Sequence, residues 1–384
     1  MSRAAYDAVV IGAGVQGAGA AYHLARSGWR VLVVDAGEPG GGSSGATHAN
    51  LALHNRNPRY PEFALARATV AMYADLEREL ETDLEFSQPG GLMLAAHVED
   101  LDVMRQHAAC QRAAGLRVEM LDAAAVRALD PGVAPDVPGG LYCPESAWVN
   151  PLLLVAAYAR AVRRLGGEVW RQTPVVGIRT HAGRVVGVQT PRGVIATAYV
   201  INAAGAGAGA VAAMVGAPFA IRPVWGQVVV TEPVPSRPVG MWNETALLRC
   251  ALDKFGARFV ATRVRHGNLL IGRCEVAGAF HCRTIAAAIP PVVARARRFL
   301  PWISDLRVFR VFAGIRPFSP DGRAAIGLLP QPQGVAFLAG FGDIGIGQGV
   351  AARLLAQTLC GQTPDLPLAP FDPARFFTSI PAAR

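Results

Sequence analysis

Residues 6–35 constrain the fold more than any other stretch. Tyr6 to Ile11 is a short apolar run of strand type. Gly12-Ala13-Gly14-Val15-Gln16-Gly17 follows, then a helical stretch to Ser27 and a second strand, Arg30 to Val34, ending at Asp35. Strand, glycine turn, helix, strand and acid stand in the order that a βαβ dinucleotide unit requires. The glycines divide the mechanics between them. Gly12 permits the tight turn, Gly14 lets the backbone approach a pyrophosphate, and Gly17 lets the helix pack on the strand. The pyrophosphate then rests on the helix N-terminus, where N–H groups and the dipole favour negative charge. Asp35 is placed to accept hydrogen bonds from a ribose. An acid here, rather than a nearby arginine, argues against a 2′-phosphate and favours FAD or NAD over NADP.

Two further glycine-rich stretches bear on that choice. Gly40-Gly41-Gly42-Ser43-Ser44-Gly45-Ala46-Thr47-His48-Ala49-Asn50 follows the acid within a few residues. Its small side chains let backbone crowd a flat, extended ligand, for which a simple NAD unit has no need; by itself the run also fits a flexible loop. Near the other end stand Gly314-Ile315-Arg316-Pro317-Phe318-Ser319-Pro320-Asp321-Gly322 and the ladder Gly340-Phe341-Gly342-Asp343-Ile344-Gly345. Together with the N-terminal unit they suggest a flavin whose two ends are held by opposite ends of the sequence.

Composition excludes several alternatives. The chain has 384 residues, 52% of them hydrophobic, enough for a sizeable core and two domains. The net charge of +9 invites a nucleic-acid reading, but Lys254 is the only lysine and the arginines are scattered rather than gathered in one stripe. The basic balance instead suits an acidic partner subunit or a carboxylate-bearing substrate. Cys110, Cys143, Cys250, Cys274, Cys282 and Cys360 form no CxxC pair, so no zinc, iron–sulfur or disulfide framework is supported, and reduced thiols in the cytoplasm fit best. Gly193 to Ile221 contains no charged residue. It is nonetheless Ala/Gly-rich and holds Asn202 and Pro218, and it reads as a buried strand (Ala198 to Ala203), a glycine turn and a short helix rather than a membrane span. No signal peptide is read at the N-terminus.

These motifs resemble the FAD-dependent amino-acid and amine oxidoreductases of the D-amino-acid oxidase and glycine oxidase superfamily. They are most similar to the flavin subunits of heteromeric members, namely those of hydrogen cyanide synthase and opine oxidase and the β subunits of proline or hydroxyproline dehydrogenases. The resemblance covers nearly the whole chain. It includes Val149-Asn150-Pro151 heading a helix, Ile201-Asn202-Ala203-Ala204-Gly205, Arg222-Pro223-Val224-Trp225-Gly226-Gln227, and the tail Leu366 to Phe371 through Arg375-Phe376.

The resemblance implies a role for individual positions. Gly12, Gly14, Gly17 and Asp35 hold the ADP half; Ser43, Ser44 and the loop through His48 to Asn50 line the pyrophosphate and flavin ring. Val175 lies where the family holds adenine by backbone, and Ala203, Ala204 and Gly205 lie beside the ribityl chain. Gly342, Ile344, Gly345 and Ile346 approach the pyrimidine edge. Arg316 matches the arginine that binds a substrate carboxylate, a role in which a planar guanidinium offers two parallel charge-assisted bonds. Phe341 and Asp343 stand where many members carry histidine and a small residue, and Asp343 can cap the following helix. No cysteine lies beside Gly314-Ile315, where some members attach the flavin, so non-covalent FAD is expected. His54, Trp225, Glu244, Arg249 and Arg273 are candidate substrate contacts by their position in the expected second domain.

The expected architecture is α/β. A discontinuous Rossmann-type FAD domain takes residues 1–85, 146–220 and 310–365. An α+β substrate domain with an antiparallel sheet takes 86–145 and 221–309, leaving 366–384 as a C-terminal tail. Trp225 to Glu232, Arg258 to Arg265 and Asn268 to Gly272 read as its strands, and Glu62 to Glu81 as a long amphipathic helix. The expected reaction is hydride removal from the Cα–H of an amino acid or secondary amine acid. Three settings fit: a catalytic subunit passing electrons to partner subunits, a self-sufficient oxidase making hydrogen peroxide, or a flavin-bearing structural subunit. A membrane is reached, in these readings, only through a partner.

Overall fold

In the computed structural model, which describes residues 6–248, 256–342 and 344–377, two eight-stranded sheets share the chain. The first is the nucleotide sheet. Its order runs Ala325–Leu328, Val335–Ala339, Gly193–Asn202, Tyr6–Ile11, Val31–Val34 and Glu168–Trp170, and all pairs in this path are parallel except the first. A hairpin, Gly177–His181 with Arg184–Thr190, hangs antiparallel from Gly193–Asn202. Ala8 to Ile11 and Val31–Val34 are buried and continuously apolar, the pattern of strands covered on both faces. The helices Val15–Arg26, Glu62–Leu80, Pro151–Arg164 and Val350–Leu359 share one hydrophobic core with this sheet, while a smaller cluster around Phe219 and Phe337 fills its other side.

Small residues set how tightly those helices pack. Helix Val15–Arg26 is half glycine and alanine, and a Cβ at Gly19 would come within 3.2 Å of the Ala352 methyl on helix Val350–Leu359. Helix Pro151–Arg164 starts where Asn150 Oδ1 accepts hydrogen bonds from the N–H groups of Leu152 and Leu153, with proline at the first position, where its missing N–H costs nothing. That cap accounts for asparagine at this position.

The second sheet runs Val308–Phe318, Arg222–Pro233, Asn268–Ala277, Val260–Arg263, Met241–Glu244, Gly91–Leu94, Gly139–Cys143 and Glu119–Asp122. It is antiparallel apart from the pair Met241–Glu244 with Gly91–Leu94. Helix Ile289–Phe299 covers one face and buries Val292, Ala296 and Phe299 there. The other face looks toward the nucleotide sheet. The strand Val308–Phe318 pairs residue by residue with Arg222–Pro233, so the stretch 310–318, placed in the nucleotide domain by sequence, belongs to the second sheet. It crosses back only at its end, where Phe318 bridges Phe341 and the Gly342 N–H donates to the Pro317 carbonyl.

The tail clamps this crossing. Arg375 donates to Asp321 and to the carbonyls of Arg323, Ala324, Phe371 and Asp372. Burial alone would raise the Asp321 carboxyl, but bonds from Arg375, the Arg323 N–H and the Ser319 hydroxyl outweigh it and bring the pKa down to about 2. The stabilisation is therefore present above the ordinary value of 3.8 and is lost as pH falls through about 2. Replacing Asp321 by Asn is expected to lower the denaturant midpoint at neutral pH. The gap to the parent should narrow between about pH 4 and pH 2; a gap unchanged over that interval would refute the clamp.

Candidate active site

Between the two sheets lies a cavity of about 340 Å³, walled at one end by Gly12, Gly14 and Asp35 and at the other by Asn243, Arg273 and Arg316. Gly12 has φ +106°, and a Cβ there would overlap the carbonyl oxygen of Ala203. Only glycine lets the first strand's end pass this close to the end of Gly193–Asn202. Gly17 is a packing glycine: its Cβ would overlap the Gly12 carbonyl oxygen. Gly14 has only the Ser44 hydroxyl nearby, at 3.0 Å, so its backbone lies open to the cavity. The Val15 N–H at the helix start donates to Ser44 Oγ. Asp35 accepts from the N–H groups of Ala13 and Gly37, one on each carboxylate oxygen, and still lines the cavity.

The loop Ser43 to Asn50 is held from both sides. Ser43 donates to the Ile315 carbonyl at 2.6 Å, and a Cβ at Gly314 would stand 2.5 Å from the Ala46 methyl. Thr262 donates to Asn50 Oδ1, and Trp148 Nε1 to the His48 carbonyl. The His48 ring sits in a hollow over Gly272, where a Cβ would lie 2.5 Å from Nε2. Burial first, then the charges of Arg316 and Arg273, push its pKa down to about 3, so it is neutral at ordinary pH. Its Nε2 is buried on this wall without a hydrogen-bond partner.

Arg316 reaches the cavity because Gly226 on the neighbouring strand has no side chain; a Cβ there would overlap Arg316 Nη1. Its Nε lies 3.9 Å from Glu275, which also accepts from Arg273 Nε at 2.7 Å. Two arginines thus share one carboxylate, and all three are less than a fifth exposed. That suits an anionic ligand group.

Most of the residues expected from the sequence meet on this wall: Gly12, Gly14, Asp35, Ser43, Ser44, His48, Asn50, Ala204, Gly205, Arg316, Gly342, Gly345 and Ile346 line it, with Phe341 and Arg273. Ile344 and Val175 do not. Val175 sits half-buried beside the Asp35 end, where the Thr173 N–H donates to the Asp35 carbonyl. Asp343 and Arg249 lie outside the described residues. Two of the candidate substrate contacts are structural. Trp225 is fully buried and donates to the Arg283 carbonyl, and Glu244 is fully buried in an ion pair with Arg295 while accepting from the Phe259 N–H.

The sequence alone did not single out Gln16, Glu275 or Asn243. Gln16 Nε2 donates to the carbonyls of Gly345 and Gln348, tying the first helix to the glycine ladder. A lone polar residue in a Gly/Ala helix start was its signal.

The cradle fits FAD: an open glycine turn at a helix N-terminus, an acid at the second strand's end, a small-residue loop, and a second glycine turn about 300 residues later. A two-domain flavoprotein is the class these features define. The family model described as FAD dependent oxidoreductase (DAO) matches residues 7–358, and the chain belongs to that family. A glycine oxidase of Pseudomonas aeruginosa is 30% identical over 95% of this chain and 98% of its own length. Hydrogen cyanide synthase subunit HcnC of the same species is 28% identical over 97% and 96%. The crystal structure of glycine oxidase from Geobacillus kaustophilus superimposes with a TM-score of 0.87 at 26% identity, covering 96% of this chain and 98% of that one. The protein is an FAD-dependent oxidoreductase. Among the described residues no group of side chains could hold a metal ion, and no helix is long and apolar enough to cross a membrane.

Two outcomes are expected. Gly226→Ala should displace the Arg316 guanidinium, weakening carboxylate binding at least about tenfold while FAD loading, read by absorbance, stays intact. Equal carboxylate affinity in both proteins would contradict that seating. His23, His48 and His54 all stay neutral in the fold down to about 3, against an ordinary 6.5. Their protons are taken up only on unfolding, so stability should fall as pH drops from about 6.5 toward 3. Urea midpoints that stay flat between about pH 6.5 and 4.5 would count against this.

Proposed function

We propose that the protein oxidises the Cα–N bond of an amino acid or secondary amine acid, and that it works as the catalytic flavin subunit of a heteromeric dehydrogenase. The observation that carries the chemistry is Arg316, seated over Gly226 on the cavity wall beside Arg273 and Glu275. FAD bound in the cleft supplies the hydride acceptor. The chain's own residues then have three roles. Arg316 fixes the carboxylate and so aims the Cα–H. Arg273 and Arg316 offer only donors on this wall, which a protonated amine, itself a donor only, cannot pair with, so the neutral amine with its lone pair is the form that fits beside them. His48, neutral beside both arginines, adds no further positive charge.

The subunit reading draws support from the similarity to a relative named as a subunit of hydrogen cyanide synthase. The competing reading, a self-sufficient oxidase, draws support from the similarity to glycine oxidases. Turnover with an artificial acceptor but no hydrogen peroxide in air favours the first, and peroxide from the isolated chain favours the second. For the chemistry itself, anaerobic flavin reduction should be screened against glycine, D- and L-proline, hydroxyprolines, sarcosine and opines. With whichever reduces it, Arg316→Ala should lower the second-order rate constant at least about a hundredfold, the loss of two charge-assisted bonds, with Arg316→Lys in between. Unchanged reduction in Arg316→Ala would remove the carboxylate assignment.

A further inference from the structure

The wall opposite the nucleotide sheet ends in a polar group that carboxylate binding and amine oxidation leave unused. Along strand Met241–Glu244 the Trp242 indole donates to Asp130 and Glu244 pairs with Arg295, while Met241, Trp242 and Asn243 all line the cavity. Asn243 is 2% exposed, and its Oδ1 is buried without a hydrogen-bond partner. An unmet acceptor of this kind costs free energy unless something fills it.

Its neighbours fix it in place. Asn243 Nδ2 lies 2.7 Å from His54 Nε2, and His54 Nδ1 lies 2.8 Å from Ser146 Oγ. One polar atom of the amide pairs with Nε2 and the other ring nitrogen pairs with Ser146, whichever nitrogen carries the proton. The His54 carbonyl in turn accepts from His107 and Gln111, and the ring occupies space left by Gly91, whose Cβ would overlap Nδ1. Whichever way the amide is turned, one of its two polar atoms is held by His54 and the other is left without a partner among the described residues.

Position gives this group its meaning. From Gly226, under the Arg316 guanidinium, to Asn243 the sheet order crosses Asn268–Ala277 and Val260–Arg263, three strand spacings or on the order of 14 Å. A two-carbon amino acid held on Arg316 ends far short of Asn243. Resting on the proposed carboxylate seat, we infer that Asn243 is a distal specificity residue. It makes a hydrogen bond to a polar group, such as an amide or hydroxyl, at the far end of an elongated amino-acid substrate. His54 and Ser146 are its positioning residues.

The test uses the FAD-loaded protein and ligand dissociation constants from flavin absorbance shifts or calorimetry, so it needs no turnover. Probes are acetate, the monoamides succinamate, glutaramate and adipamate, and for each monoamide the isostere with isopropyl in place of the amide, such as 6-methylheptanoate for adipamate. At the spanning chain length the parent protein should prefer amide over isostere by about tenfold, the value of one buried hydrogen bond. In Asn243→Leu that preference should vanish, with acetate affinity and FAD loading unchanged. Asn243→Asp supplies a second variant of nearly the same shape and should shift preference toward 6-aminohexanoate. No preference in the parent at any length, a preference retained in Asn243→Leu, or a loss confined to FAD loading would overturn the inference. Acetate binding that does not depend on Arg316 would instead sink the carboxylate seat, a separate failure that the same titrations reveal.

Discussion

One short loop decides whether the two sheets make a site. Ser43 to Asn50 offers its small side chains in both directions. Ser44 meets the first helix, while Ser43 and Ala46 meet the arginine-bearing strand, and His48 and Asn50 meet the second sheet. The contacts are backbone-close, so they tolerate little change in volume. Glycines on the opposing strands, Gly314 and Gly272, are as much a part of the arrangement as the loop itself. The flavin site is thus fixed by an interlock that spans the sequence, and neither sheet presents it alone.

The electrostatics follow from that enclosure. Inside a walled cavity charges interact more strongly than in water, and an unpaired one costs more. Arg273, Arg316 and Glu275 reconcile this by sharing: one carboxylate limits the cost of two buried cations. His48 contributes by staying neutral, which its burial and the two guanidinium groups enforce. A protonated ring there would add a third cation to the same wall.

What was legible in the sequence was whatever depends on local chain geometry. The βαβ unit showed in Gly12, Gly14 and Asp35 because tight turns demand glycine at fixed spacing. Arg316 showed because the run Gly314-Ile315-Arg316-Pro317 resembles a family motif. The second sheet was less legible. Its strands are identified by alternation, but which strand neighbours which is set by long-range pairing, and so 310–318 was given to the wrong sheet. For the same reason Trp225 and Glu244 looked like substrate contacts. They lie on strands near the site, and only the pleat decides that they face the helix Ile289–Phe299 instead.

Asn243 makes the same argument from the other side. Nothing within Met241-Trp242-Asn243-Glu244 separates the residues facing the cavity from those that face the core, since all four are buried. The distinction comes from partners far away in sequence: Asp130 and Arg295 claim Trp242 and Glu244, and His54 claims the amide of Asn243. A family likeness carries the flavin cradle and the proposed carboxylate arginine because those residues sit in recognisable motifs. The far wall, assembled from single residues on separate strands, is where members sharing that cradle are free to differ, and substrate length is the property such a wall can set.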